Sequence, residues 1–463
     1  MIFNTLVFLQ FAVAFFLLWP AIRPNPKIRY GFLILASCLF YGYGGWWFVP
    51  LLLATASFDF WIGQRIYDDP DRKKLYLYLS LISNLGVLGL FKYAAFFAES
   101  VNFLFGGREI VPVVRLILPI GISFYTFQSL SYIFDIYKGS LKPAKSIWHF
   151  LSIVTLFPHL VAGPIVRVAH ILPQIEICPK PTKTQMWDGA HLIVRGLFRK
   201  MVLADNLAPY VDTIYGGGSH SGAQYFLGSL AFCFQVYFDF SGYTDTARGL
   251  AKWIGLEFSL NFNHPLSSIG IRDFWTRWHI SLSHWIRDYI YIPLGGSKKG
   301  EWAAHRNSWI AMLASGLWHG ANWTYIGWGA LNALFISIER ITNWPEKISK
   351  TAIGKVVGVG ITMLLFLSGL VLFRSTSLFQ AGDIFAAMLT PKAGYLAGIG
   401  DMDIKVKFAF ALSLILEGGY TIQRHFTGPL PQPWYAKSLA SAAMIFLCVY
   451  LPGPGQAFVY FQF

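Results

Sequence analysis

The sequence predicts an all-α, polytopic integral membrane protein, on three observations. First, the 463 residues are 55% hydrophobic and 17% aromatic with only 13% charged, against roughly 25% charged in an average soluble domain. Second, the mean hydropathy of +0.49 arises from repeated apolar runs, many near the ~20 residues that span a bilayer. Third, the 37 Lys and Arg, giving a net charge of +14, fall in the short connections between those runs, where the positive-inside rule and anionic headgroups place them. A soluble or disordered chain is excluded. With no aromatic-interleaved basic run, nucleic acid is not an expected partner. Residues 1–463 read as one membrane domain, with membrane lipids as its surroundings.

Taken in order, Met1–Trp19 is uncharged, lacks a basic n-region, and runs into Pro-Ala-Ile-Arg-Pro rather than a cleavage site, so it reads as a retained first span. With Arg23 the first positive charge, its N-terminus is expected outside. Tyr30–Tyr43 and Trp46–Gly63, split at Gly42-Tyr43-Gly44-Gly45, read as a helical hairpin. Further apolar runs are Leu75–Phe97, Val114–Tyr137, Ala223–Phe240, Asn307–Asn322, Tyr325–Ile338, Gly354–Phe373, Phe408–Tyr420 and Leu439–Leu451, about eleven spans in all. Ile147–Val166 carries Pro158, Gly163 and Pro164 and has positive charge on both flanks. Such backbone survives at membrane depth only inside protein or along a cavity, which predicts a re-entrant element. Ile271–Tyr291, counted at about 100° per residue, puts Phe274, Trp275, Trp278, Leu282, Trp285, Ile286 and Tyr289 on one arc. That is the pattern of one amphipathic, interfacial helix with His279 at the seam.

Four segments carry chemistry. His319 lies in the apolar run Ser308–Trp323, and a titratable imidazole at that depth is a functional candidate. Burial keeps it neutral, as a general base must be. Gly316 and Gly320 are expected to leave room for an approaching group, Trp318 and Trp323 to wall a pocket, and Asn322 to supply a polar neighbour. The competing reading is a structural histidine bonded to a neighbouring helix. His279 is the second imidazole, in Arg272–Ser283, a segment whose arginines alone would suit lipid headgroups. In Gln235–Asp245, Asp239 and Asp245 stand beside an apolar run and must be paired or exposed. Two readings stay open there: a helix-break-helix joint capped by Ser241 or Asp245, or a polar joint lining a reaction cavity. Finally, Phe458–Phe463 is aromatic to its last residue. It is either a membrane-surface anchor or a tail entering a pocket, with the Tyr460 hydroxyl its only nucleophile. The four cysteines are dispersed, so neither a metal site nor a disulfide is expected. No serine-hydrolase elbow, zinc-protease helix, phosphate-binding loop or dinucleotide fingerprint occurs.

Asp273-Phe-Trp-Thr-Arg-Trp-His-Ile-Ser-Leu-Ser283, Arg287-Asp-Tyr-Ile-Tyr-Ile-Pro-Leu-Gly-Gly296 and Gly316-Leu-Trp-His-Gly-Ala-Asn-Trp323 together resemble the signature of the membrane-bound O-acyltransferases. The resemblance is strongest to the bacterial alginate-acetylating branch. Phe157–Arg167, Tyr237–Asp245 and the Tyr-Phe-Gln-Phe ending are similar to further blocks of that family. The resemblance implies a multi-helix bundle of re-entrant and interfacial helices around a central tunnel in the bacterial cytoplasmic (inner) membrane. It implies His319 as catalytic histidine, His279 as the second active-site polar residue, and Tyr460 as an acyl carrier. Trp318, Asn322, Asp239, Ser241 and Asp245 would support them.

The activity so implied is transfer of an acetyl group from a cytoplasmic thioester, acetyl-CoA or an acyl-carrier thioester, to an extracytoplasmic polysaccharide. An SGNH-type esterase or transferase would be the partner; no cofactor is bound. Acetylation of peptidoglycan and D-alanyl transfer to teichoic acid remain alternatives. From the residues alone, so does a proton-coupled transporter or channel, whose intramembrane histidines and broken helices would look alike.

Overall fold

The structure is a computed structural model and describes residues 1–391, 394–398, 400–431 and 433–459. Among the described residues it is helical, without a strand. The helices are α1 (Leu6–Ile22), α2 (Pro26–Gly42), α3 (Phe48–Asp68), α4 (Lys73–Leu104), α5 (Ile122–Tyr137), α6 (Ile147–Val154), α7 (Phe157–Leu160), α8 (Val168–Ile177), α9 (Lys183–Phe198) and α10 (Asp205–Tyr215). They continue with α11 (Gly222–Ile254), α12 (Ile271–Trp275), α13 (Ile280–Ile286), α14 (Glu301–His319), α15 (Trp323–Thr342), α16 (Trp344–Ile348), α17 (Ala352–Arg374), α18 (Leu378–Leu389), α19 (Ile404–Ile422) and α20 (Trp434–Tyr450). Among the described residues two stretches, Pro70–Leu104 and Ala352–Arg374, are long and apolar enough to cross a bilayer, and α1, α18 and α20 are apolar but shorter. Outward faces carry Leu9, Val13 and Leu17 on α1, Ile82, Leu90 and Phe97 on α4, and Val356 and Leu364 on α17. Apolar surface on that scale suits hydrocarbon rather than water.

The chain divides into two compact units, Met1–Ile193 with Tyr243–Ser259, and Val194–Gly242 with Leu260–Phe463. In the first, α2 and α3 form the hairpin expected at Gly42–Gly45. The expected span Val114–Tyr137 is shorter: Gly121, at φ +77°, sits where a Cβ would press on the Leu160 carbonyl, and α5 starts only after it. Ile147–Val166 breaks, as its prolines demand, into α6, the single turn α7 and a buried non-helical run. Two buried polar contacts help to hold this unit together. Ser80 and Asn84 of α4 donate to the buried Asp59 carboxylate of α3 at 2.7 and 2.8 Å, and Phe157 N–H donates to Ser37 Oγ at 3.1 Å.

Three departures from the sequence reading lie in α11 and the helices after it. The joint expected near Asp239 does not exist. α11 runs unbroken through it, since Asp239 is paired (below) and Asp245 lies 3.6 Å from Arg248 one turn on, leaving no orphan charge to force a break. The single amphipathic helix is instead α12 and α13, separated by a turn at Thr276–His279. Of the arc, Phe274, Trp278, Leu282, Trp285, Ile286 and Tyr289 are buried and Trp275 is partly exposed. Third, Gly316 and Gly320 admit no visitor. Their missing side chains let α15 close on α14: a Cβ on Gly316 would lie 2.3 Å from the Tyr325 carbonyl oxygen, and one on Gly320 2.1 Å from the Tyr325 ring. Small residues letting backbones touch is the usual device of helix pairs in lipid. Gly316→Ala is therefore expected to lower the melting temperature of the detergent-purified protein by overpacking, at about 1–3 kcal/mol. A melting curve that does not shift would show that the hairpin yields.

Candidate active site

The site is assembled within the second unit from α14, the α12–α13 turn and α11. His319 is the last residue of α14 and 7% exposed. Three rings stand edge-on to its imidazole: Trp318 at 4.9 Å between centroids, Trp328 of α15 at 5.0 Å and Phe373 of α17 at 5.2 Å. Asn322 does not reach into this cage. It caps α15, its Oδ1 accepting from Thr324 N–H at 3.0 Å while its Nδ2 donates to the Thr376 carbonyl. Trp323 is exposed.

His279 is 1% exposed and sits in the left-handed region at φ 43°, ψ 53°. Histidine enters that region more readily than most residues, yet a strained residue persists only where its surroundings fix it. Asn261 does so: its carbonyl accepts Ile280 N–H at 2.9 Å, and its Oδ1 accepts both the N–H and the hydroxyl of Ser281 at 3.1 and 2.9 Å. On the other side Asn263 N–H donates to the Arg277 carbonyl at 3.0 Å. The preceding α12 hangs from α15 and α17. Glu339 accepts the Ile271 N–H, and Thr362 Oγ1 accepts the Gly270 N–H at 2.7 Å. Beside it, burial would raise the Asp273 carboxyl, but hydrogen bonds from Arg424 and Arg277 outweigh that and hold it below the usual carboxylate range.

The imidazole of His279 has a defined polarity. Its Nδ1 accepts the Leu282 N–H of α13 at 3.4 Å, which in the neutral ring leaves the proton on Nε2. His279 is thereby a donor at Nε2. Phe240 of α11 packs edge-on to the ring at 4.7 Å, and Trp318 does so at 5.8 Å from the other helix pair. Trp318 thus touches both histidines, which the sequence separates by two helices and places in one aromatic wall.

One charged cluster went unread. Lys200 bridges two buried carboxylates, Asp205 and Asp239, at 2.9 Å each. Residues Arg199–Ala204 form a π-turn, with Asp205 N–H bonded to the Lys200 carbonyl five residues back. On an ordinary helix, at about 100° per residue, positions 200 and 205 would lie about 140° apart. The wider turn brings them to one face, and such turns recur at functional sites. The signal available was Arg199-Lys200, two charges entering an apolar run. Ser241 is buried just beyond Asp239, Asp245 belongs to the other unit, and Tyr460 lies outside the described residues.

Comparison with known proteins covers the same residues. A model of the membrane-bound O-acyltransferase family matches residues 144–344, a stretch that contains Lys200, Asp239, His279 and His319. A probable alginate O-acetylase of Azotobacter vinelandii is 39% identical over 398 residues, covering 84% of this chain and 78% of its own length. A peptidoglycan O-acetyltransferase of Helicobacter pylori is 34% identical over 426 residues, covering 84% and 80%. A teichoic acid D-alanyltransferase of Bacillus subtilis is 29% identical over 252 residues, covering 52% and 62%.

Proposed function

Because the chain belongs to the membrane-bound O-acyltransferase family, we propose that it moves an acetyl group from a cytoplasmic thioester, acetyl-CoA or an acyl-carrier thioester, for O-acetylation of an alginate-like extracytoplasmic polysaccharide. The chain is an O-acyltransferase and a membrane protein; the cargo, the route and the residue roles are the proposal. The observation that carries it is the shared wall: one indole, Trp318, packed against both a caged imidazole and an imidazole whose Nε2 is a donor.

In the proposed reaction an acceptor hydroxyl gives its proton to His319 as its oxygen attacks the thioester carbonyl carbon. The Nε2–H of His279 donates to the carbonyl oxygen as it becomes an oxyanion. Collapse breaks the carbon–sulfur bond, and the leaving thiolate takes the proton back from His319, so the imidazole is regenerated. The attacking hydroxyl is that of Tyr460 or of an exogenous carrier, and an SGNH-type partner outside the membrane completes delivery. About eleven spans around a tunnel in the bacterial cytoplasmic (inner) membrane would connect a donor and an acceptor held on opposite sides. Basic connections would favour the phosphates of the donor. The same chemistry serves acetylation of peptidoglycan or D-alanyl transfer to teichoic acid, and the similarity to enzymes so named favours these as the second reading.

Incubating the purified protein with acetyl-CoA is expected to release free thiol and leave an acetyl adduct on the peptide containing Tyr460, read by mass spectrometry. Thiol release with that peptide unmodified removes Tyr460 as carrier; no thiol release removes acetyl-CoA as donor.

A further inference from the structure

Leu451–Val459 has almost no regular structure, yet the charged cluster, its π-turn and the adjoining Asn206 hold it along its length. Gly453 N–H donates to the Met201 carbonyl at 2.7 Å, and Asn206 Nδ2 donates to the Leu451 carbonyl at 3.0 Å. Val459 N–H donates to Asp239 Oδ2 at 2.6 Å. The approach at Gly453 is backbone on backbone, since a Cβ there would meet the Asp205 carbonyl carbon at 2.5 Å. Phe458 and Val459 are 1% and 2% exposed. The Phe458 ring packs at 5.7 Å on Phe240, which packs at 4.7 Å on His279. A non-helical segment in a water-poor site needs acceptors for its N–H groups. A carboxylate can serve there only beside a countercharge, which Lys200 provides.

We propose that Asp239 is a positioning residue for the acyl transfer. Paired with Lys200, it latches Pro452–Val459 so that Phe458 completes the aromatic wall behind His279. The cluster is then a seat for this segment rather than a lining of the donor's path. A hydrogen bond to a charged acceptor is among the stronger ones in a protein, and Asp239 holds the segment at its far end, where no helix supports it. The catalytic part of this inference rests on the acyl-transfer reading; the latch itself does not.

Two measurements on the full-length, detergent-purified chain test it: hydrogen exchange of the 452–459 peptide, and thiol release from acetyl-CoA with a soluble oligosaccharide present to take the acetyl group, resolved into kcat and KM. Asp239→Ala is expected to speed exchange of that peptide at least about tenfold, with α14 and α15 still protected, and to lower kcat about tenfold or more at unchanged donor KM. Asp239→Asn keeps the volume and one acceptor oxygen, and should fall between parent and alanine variant in both measurements. It also decides the matter should the alanine variant lose protection throughout. Unchanged exchange in 452–459 overturns the latch; faster exchange with parental kcat overturns the positioning role. If the parent itself releases no thiol, the acyl-transfer reading fails while exchange still tests the latch.

Discussion

Replacing His319 by alanine is expected to lower turnover of the thioester by roughly 10²–10⁴-fold, the range that general acid–base groups contribute. No ring of the cage would take over. The three rings around the imidazole are two indoles and a phenyl, and none of these can abstract a proton. His319→Gln should be as inactive as the alanine variant, because an amide restores hydrogen bonding and volume but not basicity. Both variants should retain the fold, since the α14–α15 hairpin is closed by Gly316, Gly320 and Tyr325 rather than by the imidazole. Parental turnover by a folded, inserted His319→Ala would leave the histidine a packing residue only.

Substitution of His279 carries the second largest expected loss, about 10²–10³-fold in kcat, the usual scale for removing one oxyanion donor. Backbone strain confuses the simple alanine variant, because residue 279 is left-handed and alanine is not at ease there. His279→Asn separates the two effects. Asparagine tolerates that conformation but cannot carry an N–H as far as Nε2, so it should melt like the parent and still turn over slowly. An asparagine variant with parental kcat would sink the donor role.

Much of the site was legible in one sequence because burying a charge is costly enough to advertise itself. His319 stood out against its apolar run, and the inward arc of Ile271–Tyr291 survived although the helix itself breaks. That break was invisible to periodicity: it depends on Asn261 and Asn263, which lie well upstream and reach it through hydrogen bonds that only the folded chain forms. The glycines of α14 misled for a related reason. Absence of a side chain marks close approach without saying whether backbone or ligand approaches, and Tyr325 fills the space. Lys200 went unread because its partners are selected by a turn that no residue in it announces. Asp239 was expected to be paired or exposed and is paired, which let α11 run on where a joint had been expected.

The Arg199–Ala204 turn has a consequence for how this chain tolerates change in length. A π-turn amounts to one residue more than an ordinary helix needs over the same distance. Deleting Met201 would let an ordinary helix run through the turn, with Lys200 and Asp205 then four residues and about 40° apart, still on one face. At this point helical phase, not length, is under constraint. A one-residue deletion within the turn should therefore be far less damaging than one in the regular helix on either side, where everything that follows would swing by about 100°.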